Sequence, residues 1–70
     1  MEFSQIVKSL RLERGWSQQE VADRLGVSNK TISKWESGGG FPDITVLPAL
    51  AELYGVTADD ILAGETLRGT

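Results

Sequence analysis

The segment Gly26-Val27-Ser28 constrains this chain more than any other. Before it, "WSQQEVADRL" (16–25) has the grammar of a helix start. Ser17 is placed to cap, Glu20 stands three residues on to close a reciprocal capping box, and Trp16 is placed to pack onto Val21 across the first turn. After it, Ser28 repeats the cap, with Val27 and Ile32 as the matching apolar pair. Only three residues therefore separate two helices, and so short a link forces them to cross at a steep angle. In that geometry Val21, Leu25, Val27, Ile32 and Trp35 turn toward a shared interior, and Ala22 is small where the helices meet. Any fold of this chain must be built around that corner.

The rest of the chain supplies the same kind of signal and little strand patterning. Phe3, Ile6, Val7 and Leu10 follow a helical period, with Gly15 as the stop. "LAELYGVT" (50–57) echoes "VADRLGVS" (21–28): a glycine stop, a stapling valine, and a capping hydroxyl at Thr57, with Asp60 closing a further box. Pro48 lacks an N–H and belongs in the first turn of a helix, which puts a cap near Thr45. Five helices are predicted, at about 2–14, 18–25, 29–37, 46–54 and 58–63, in an all-α fold. The expected domain spans 1–64. Residues 65–70 carry too little apolar surface to extend it and read as a tail or the start of a linker.

Length and composition narrow the function classes. A chain of 70 residues is one small domain with no core to spare for a substrate pocket. It contains no Cys and no His, which removes disulfides, thiolate metal sites and the commonest general base. No nucleophile–base pair or metal cluster can be assembled from what is left, so neither an enzyme nor a cofactor or small-molecule ligand is expected. Asp59 and Asp60 are accounted for by the favourable field of a helix N-terminus. No stretch is long and apolar enough to span a membrane, and "MEFSQIVKSL" lacks the basic-then-apolar order of a signal peptide, so a cytoplasmic protein is expected.

The net charge of −3 conceals an asymmetry. Residues 8–34 carry six Lys or Arg against three acids, whereas residues 35–70 carry one Arg against six acids. Within the basic half, the third helix is the informative one. At about 100° per residue, with Asn29 at zero, Ile32 and Trp35 fall near 300° and 240°, while Ser33, Lys30 and Lys34 fall near 40°, 100° and 140°. The face opposite the core is therefore cationic and amide-bearing, and Glu36 lies on its flank. Free N–H groups behind Ser28 add to its attraction for anions.

The stretch "LRLERGWSQQEVADRLGVSNKTISKWESGGGFPDITVLPALAELYGVTADDILAGE" (10–65) resembles the phage-repressor (Cro/CI-like, XRE) helix-turn-helix family. "SQQEVADRLGVS", "TISKWESG", "PD" and "LAELYGVTADDIL" carry the likeness. The resemblance implies a compact five-helix, lambda-repressor-like DNA-binding domain. Its third helix would enter the major groove of a double-stranded DNA operator, in a transcriptional regulator, most often a repressor, that acts as a homodimer. Residue by residue, it implies that Asn29, Lys30 and Ser33 read base edges. It also implies that Gln18 contacts a phosphate and that Arg11 and Glu36 form a buried salt bridge between helix one and the end of helix three. Ser28, Thr31 and Lys34, at the front and sides of the exposed face, are placed for phosphates, with Lys34 also in reach of a base. The chemistry agrees: Asn suits adenine, Lys the guanine N7/O6 edge, and Ser several edges.

One departure stands out. Where the family often offers a cation after the recognition helix, this chain has Gly38-Gly39-Gly40. Only backbone N–H groups, at Gly39 and Gly40, are expected to approach phosphates there. Ile61, Leu62 and Leu67, on helix five and the tail, are the expected dimer-forming side chains. The acidic second half keeps one alternative open: a protein-interaction module on the same fold, with DNA binding weakened or lost.

Overall fold

The structure, a computed structural model, describes the backbone of residues 2–66 and the side chains of residues 2–62. Five helices follow in order: α1 (Phe3–Glu13), α2 (Gln18–Leu25), α3 (Asn29–Ser37), α4 (Leu47–Tyr54) and α5 (Ala58–Thr66). All described residues outside them are turns and loops.

The corner forms as the sequence predicts. Ser17 Oγ accepts the Glu20 N–H at 3.1 Å, and Glu20 Oε1 accepts the Ser17 N–H at 2.8 Å. Gly26 ends α2 in the left-handed region at φ 74°, with its N–H on the Ala22 carbonyl. The Val27 N–H also returns to Ala22, at 3.0 Å. Ser28 then caps α3 by accepting the Thr31 N–H at 3.2 Å. Thr57 and Asp60 make the corresponding box ahead of α5, at 3.0 and 3.2 Å.

Two expectations about boundaries need correction. Thr45 does not cap α4. Its N–H and hydroxyl both donate to Asp43 Oδ1, at 3.2 and 3.0 Å, and the Asp43 carbonyl accepts from Val46 and Leu47. A turn organised by Asp43 thus leads into α4, and Pro48, having no N–H, leaves one donor fewer to cap. The second correction concerns α5, which continues to Thr66, past the expected end at residue 63. Thr57 and Asp60 secure its start, and Ile61, fully buried, anchors its first turns in the core.

The core draws on every helix: Phe3 and Val7 from α1, Val21 and Ala22 from α2, Ile32 and Trp35 from α3, Leu50, Ala51 and Tyr54 from α4, and Ile61 from α5. Trp16, Leu25 and Val27 lie half-buried at its edge. α3 packs against both α1 and α2, and this fixes the direction of its outer face. The loop after α3 is anchored rather than loose, because the Phe41 ring lies on Phe3 with centroids 4.9 Å apart.

A Cβ at Gly26 would meet nothing within 4 Å, so any cost of replacing it is conformational. Gly26→Ala should destabilise the domain by about 1–2 kcal/mol. That corresponds to a fall in thermal midpoint of roughly 4–15 °C, measurable by circular dichroism with helix content unchanged at low temperature.

Candidate nucleic-acid interface

α3 carries the interface, and its inner side explains its outer one. Ile32 and Trp35 are buried, and an α-helix that buries those two must turn Asn29, Lys30, Ser33 and Lys34 to solvent. All four are exposed. Neither lysine is within salt-bridge distance of an acid among the described residues, so both charges are available to a partner. Trp35 is a core residue and offers no ring to stack on a base.

The flank acid is withdrawn from this face. The side chains of Arg11 and Glu36 are 10% and 5% exposed and meet through two hydrogen bonds, Nε–Oε2 at 2.7 Å and Nη2–Oε1 at 2.9 Å. The third arm, Nη1, donates to the Trp16 carbonyl at 2.8 Å. Hydrogen bonding to Glu36 raises the Arg11 pKa against the opposing effect of burial. Arg11 therefore ties α1 to the end of α3 and to the entry of α2 at once. Tyr54, the single tyrosine, lies within the electrostatic reach of this pair. Burial first, and the Glu36 carboxylate second, push its hydroxyl up to about 12.

The head of α2 joins the same arrangement. Gln18 Nε2 donates to Glu36 Oε1 at 3.2 Å, so one of its two amide protons is engaged inside the protein. The pairing of residues 18 apart was not visible in the sequence, where Gln18 could be placed only by resemblance. Ser28 and Thr31 are also joined, with their hydroxyls 3.0 Å apart. Two hydroxyls that share one hydrogen bond leave a single proton to donate outward, so they act as one donor and not two.

The glycine loop divides unequally. Gly38 closes α3 in the left-handed region at φ 86°. The Gly39 N–H, expected to face a phosphate, donates instead to the Lys34 carbonyl at 2.8 Å, because a helix ending on a left-handed glycine returns its next N–H to the last turn. Gly40 is the loop glycine whose N–H makes no hydrogen bond among the described residues. Sequence reading also missed two cation–ring contacts at the back of the corner. The Arg24 guanidinium lies 4.4 Å from the centre of the Trp16 ring, and that of Arg14 lies 5.3 Å from the Tyr54 ring. Arg14 Nη2 also donates to the Tyr54 carbonyl, completing the end of α4.

Of the expected dimer-forming side chains, Ile61 is fully buried and Leu62 is half-buried. Leu67 lies outside the described residues. Among the described residues, the large apolar side chains that are exposed are Leu12, Phe41 and Ile44, the last 82% accessible. No described helix is long and apolar enough to cross a membrane.

Comparison with known proteins gives one consistent answer. A helix-turn-helix family model matches residues 7–61. The HTH-type transcriptional activator BcrR of Enterococcus faecalis is 40% identical over 67 residues, covering 96% of this chain and 33% of BcrR. The cryptic phage CTXphi transcriptional repressor RstR of Vibrio cholerae is 34% identical over 61 residues, covering 87% of this chain and 55% of RstR. This chain thus spans from a third to just over half the length of these relatives. Among solved structures, the P22 c2 repressor in complex with a synthetic operator superposes with a TM-score of 0.87 at 26% identity, over 93% of this chain and 98% of that one.

Two outcomes follow from the buried pair. Arg11→Met leaves a buried carboxylate uncompensated and should cost about 3–5 kcal/mol, whereas removing both charges in Arg11→Met/Glu36→Leu should recover most of that loss. Urea unfolding curves of the three proteins give the comparison. The tyrosine titration should have its midpoint near pH 12, read from ultraviolet absorbance. A phenol pKa raised above its unfolded value of about 10 stabilises the fold below that pH. The contribution is lost as pH rises from 10 through 12.

Proposed function

Since this chain belongs to the XRE-type helix-turn-helix family, we propose that it binds double-stranded DNA sequence-specifically, by insertion of α3 into the major groove, as the operator-reading domain of a transcriptional regulator. The observation that carries the reading is the outer face of α3: an amide, a hydroxyl and two lysines, unpaired among the described residues, on a helix whose other side is locked into the core. Asn29, Lys30 and Ser33 read base edges. Lys34, Gln18, the Ser28–Thr31 hydroxyl pair and the Gly40 N–H hold phosphates. Base contacts specify and phosphate contacts position, so the two sets carry different consequences. The P22 c2 repressor, whose fold this chain shares, is bound to an operator in its solved structure.

The regulator is cytoplasmic and acts as a homodimer on a palindromic operator, joined through α5 or the residues that follow it. With Lys34 the one cation assigned to the DNA backbone, few phosphates are neutralised, so a single domain binds weakly and the second copy supplies the missing affinity. Repression follows where the operator overlaps a promoter. The relatives include an activator and a repressor, so membership of the family does not by itself fix the sign of regulation. The exposed Phe41 and Ile44 favour one second reading, a protein-interaction module that engages a partner through that loop.

An operator selected from random duplexes decides between them. Lys30→Ala and Asn29→Ala should each lose about 1–3 kcal/mol of discrimination against single-base changes in the selected site, while their thermal midpoints stay at the wild-type value. Wild-type affinity and selectivity in Lys30→Ala would remove α3 from the reading role. Failure to select any site, together with partner binding abolished by Ile44→Lys, would establish the second reading.

A further inference from the structure

The Gln18–Glu36 hydrogen bond has a consequence that a purely structural salt bridge does not. Gln18 begins α2, where the first backbone N–H groups have no intrahelical acceptor and its own amide is half-buried. One Nε2 proton is held by Glu36 Oε1 at 3.2 Å. The other is the only side-chain donor Gln18 can offer outward. A phosphate accepting it would come to about 5–6 Å from the Glu36 carboxylate, given hydrogen bonds of ordinary length on both protons. Two anions at that distance repel unless a cation intervenes, and the cation is Arg11, bonded to both carboxylate oxygens.

We propose that Glu36 is a positioning residue for phosphate binding at the head of α2, fixing the Gln18 amide so that one proton faces the DNA backbone, and that Arg11 screens its charge so that a phosphodiester can approach. This rests on the DNA-binding reading above and assigns the Arg11–Glu36 pair a part in affinity as well as in folding. The arrangement trades strength for geometry. Gln18 is held in one orientation, but an anion stands behind it, and the phosphate contact is weaker than the same amide would make beside a neutral group.

The test uses the full chain and a generic 20-base-pair duplex, with affinity measured across a salt series. Glu36→Gln keeps the shape, removes the anion and leaves Arg11 as a net cation. It should bind the duplex about three- to tenfold more tightly at low salt, with a salt slope steeper by up to about 0.9. Loss of an anion near the backbone tightens binding on its own, so the same substitution is made in a Gln18→Ala background. The gain should shrink there, whereas an equal gain in both backgrounds, or none in either folded variant, would overturn the proposal. In the wild-type protein, which avoids any question of folding, the two Gln18 side-chain amide protons are followed by NMR as duplex is added. One should shift and the other, held by Glu36, should stay. Both remaining still while Lys30 and Lys34 respond would overturn the proposal and leave the DNA reading intact. No response anywhere on α3 would sink the DNA reading itself.

Discussion

The carboxylate of Glu36 is the point on which this small domain turns. It accepts two hydrogen bonds from Arg11 and one from Gln18, so three helices converge on one side chain. Burying an ion pair is worth little in stability relative to a well-packed apolar pair, but breaking it is expensive. The pair therefore acts as a specification: α1, the head of α2 and the tail of α3 have one relative placement that leaves no buried charge alone. In a 70-residue chain the apolar core is too small to exclude every alternative packing on its own.

That placement makes a surface out of a core. Ile32 and Trp35 decide which way α3 faces, and Ala22, with no exposed surface, lets α2 come close enough to keep it there. The polar side chains opposite are held on a rigid helix and not on a loop, the arrangement best suited to aligning short side chains with base edges. The acid that would spoil the face is neutralised behind it. A chain with net charge −3 can in this way present a cationic front.

Much of this was legible in the sequence because it is local. Capping hydroxyls, helix-ending glycines and the apolar period all act within a few residues, and the four outer positions of α3 follow from the period alone. What could not be read lies where residues distant in sequence meet, or where a backbone donor has two candidate acceptors. Gln18 and Glu36 give no signal of their contact at a spacing of 18, and nothing in a triplet of glycines says that Gly39 turns its N–H inward to Lys34 while Gly40 does not. The start of α4 was misplaced for a similar reason. Neither Asp43 nor Thr45 caps it: Val46 is the N-cap, with no side-chain cap, and Asp43 instead holds the turn before it by accepting from Thr45. The Arg24–Trp16 contact across the corner depends on the fold already being formed.

The most direct measurement of the central claim is a map of backbone amide shifts during titration with unselected duplex DNA at low salt. Non-specific phosphate contacts precede any reading of sequence and should already engage the correct surface. Changes should be confined to Gln18, residues 28–34 and Gly40, and should fade as salt is raised. Changes centred on Phe41 and Ile44 instead, or none on α3 at high protein concentration, would contradict that claim.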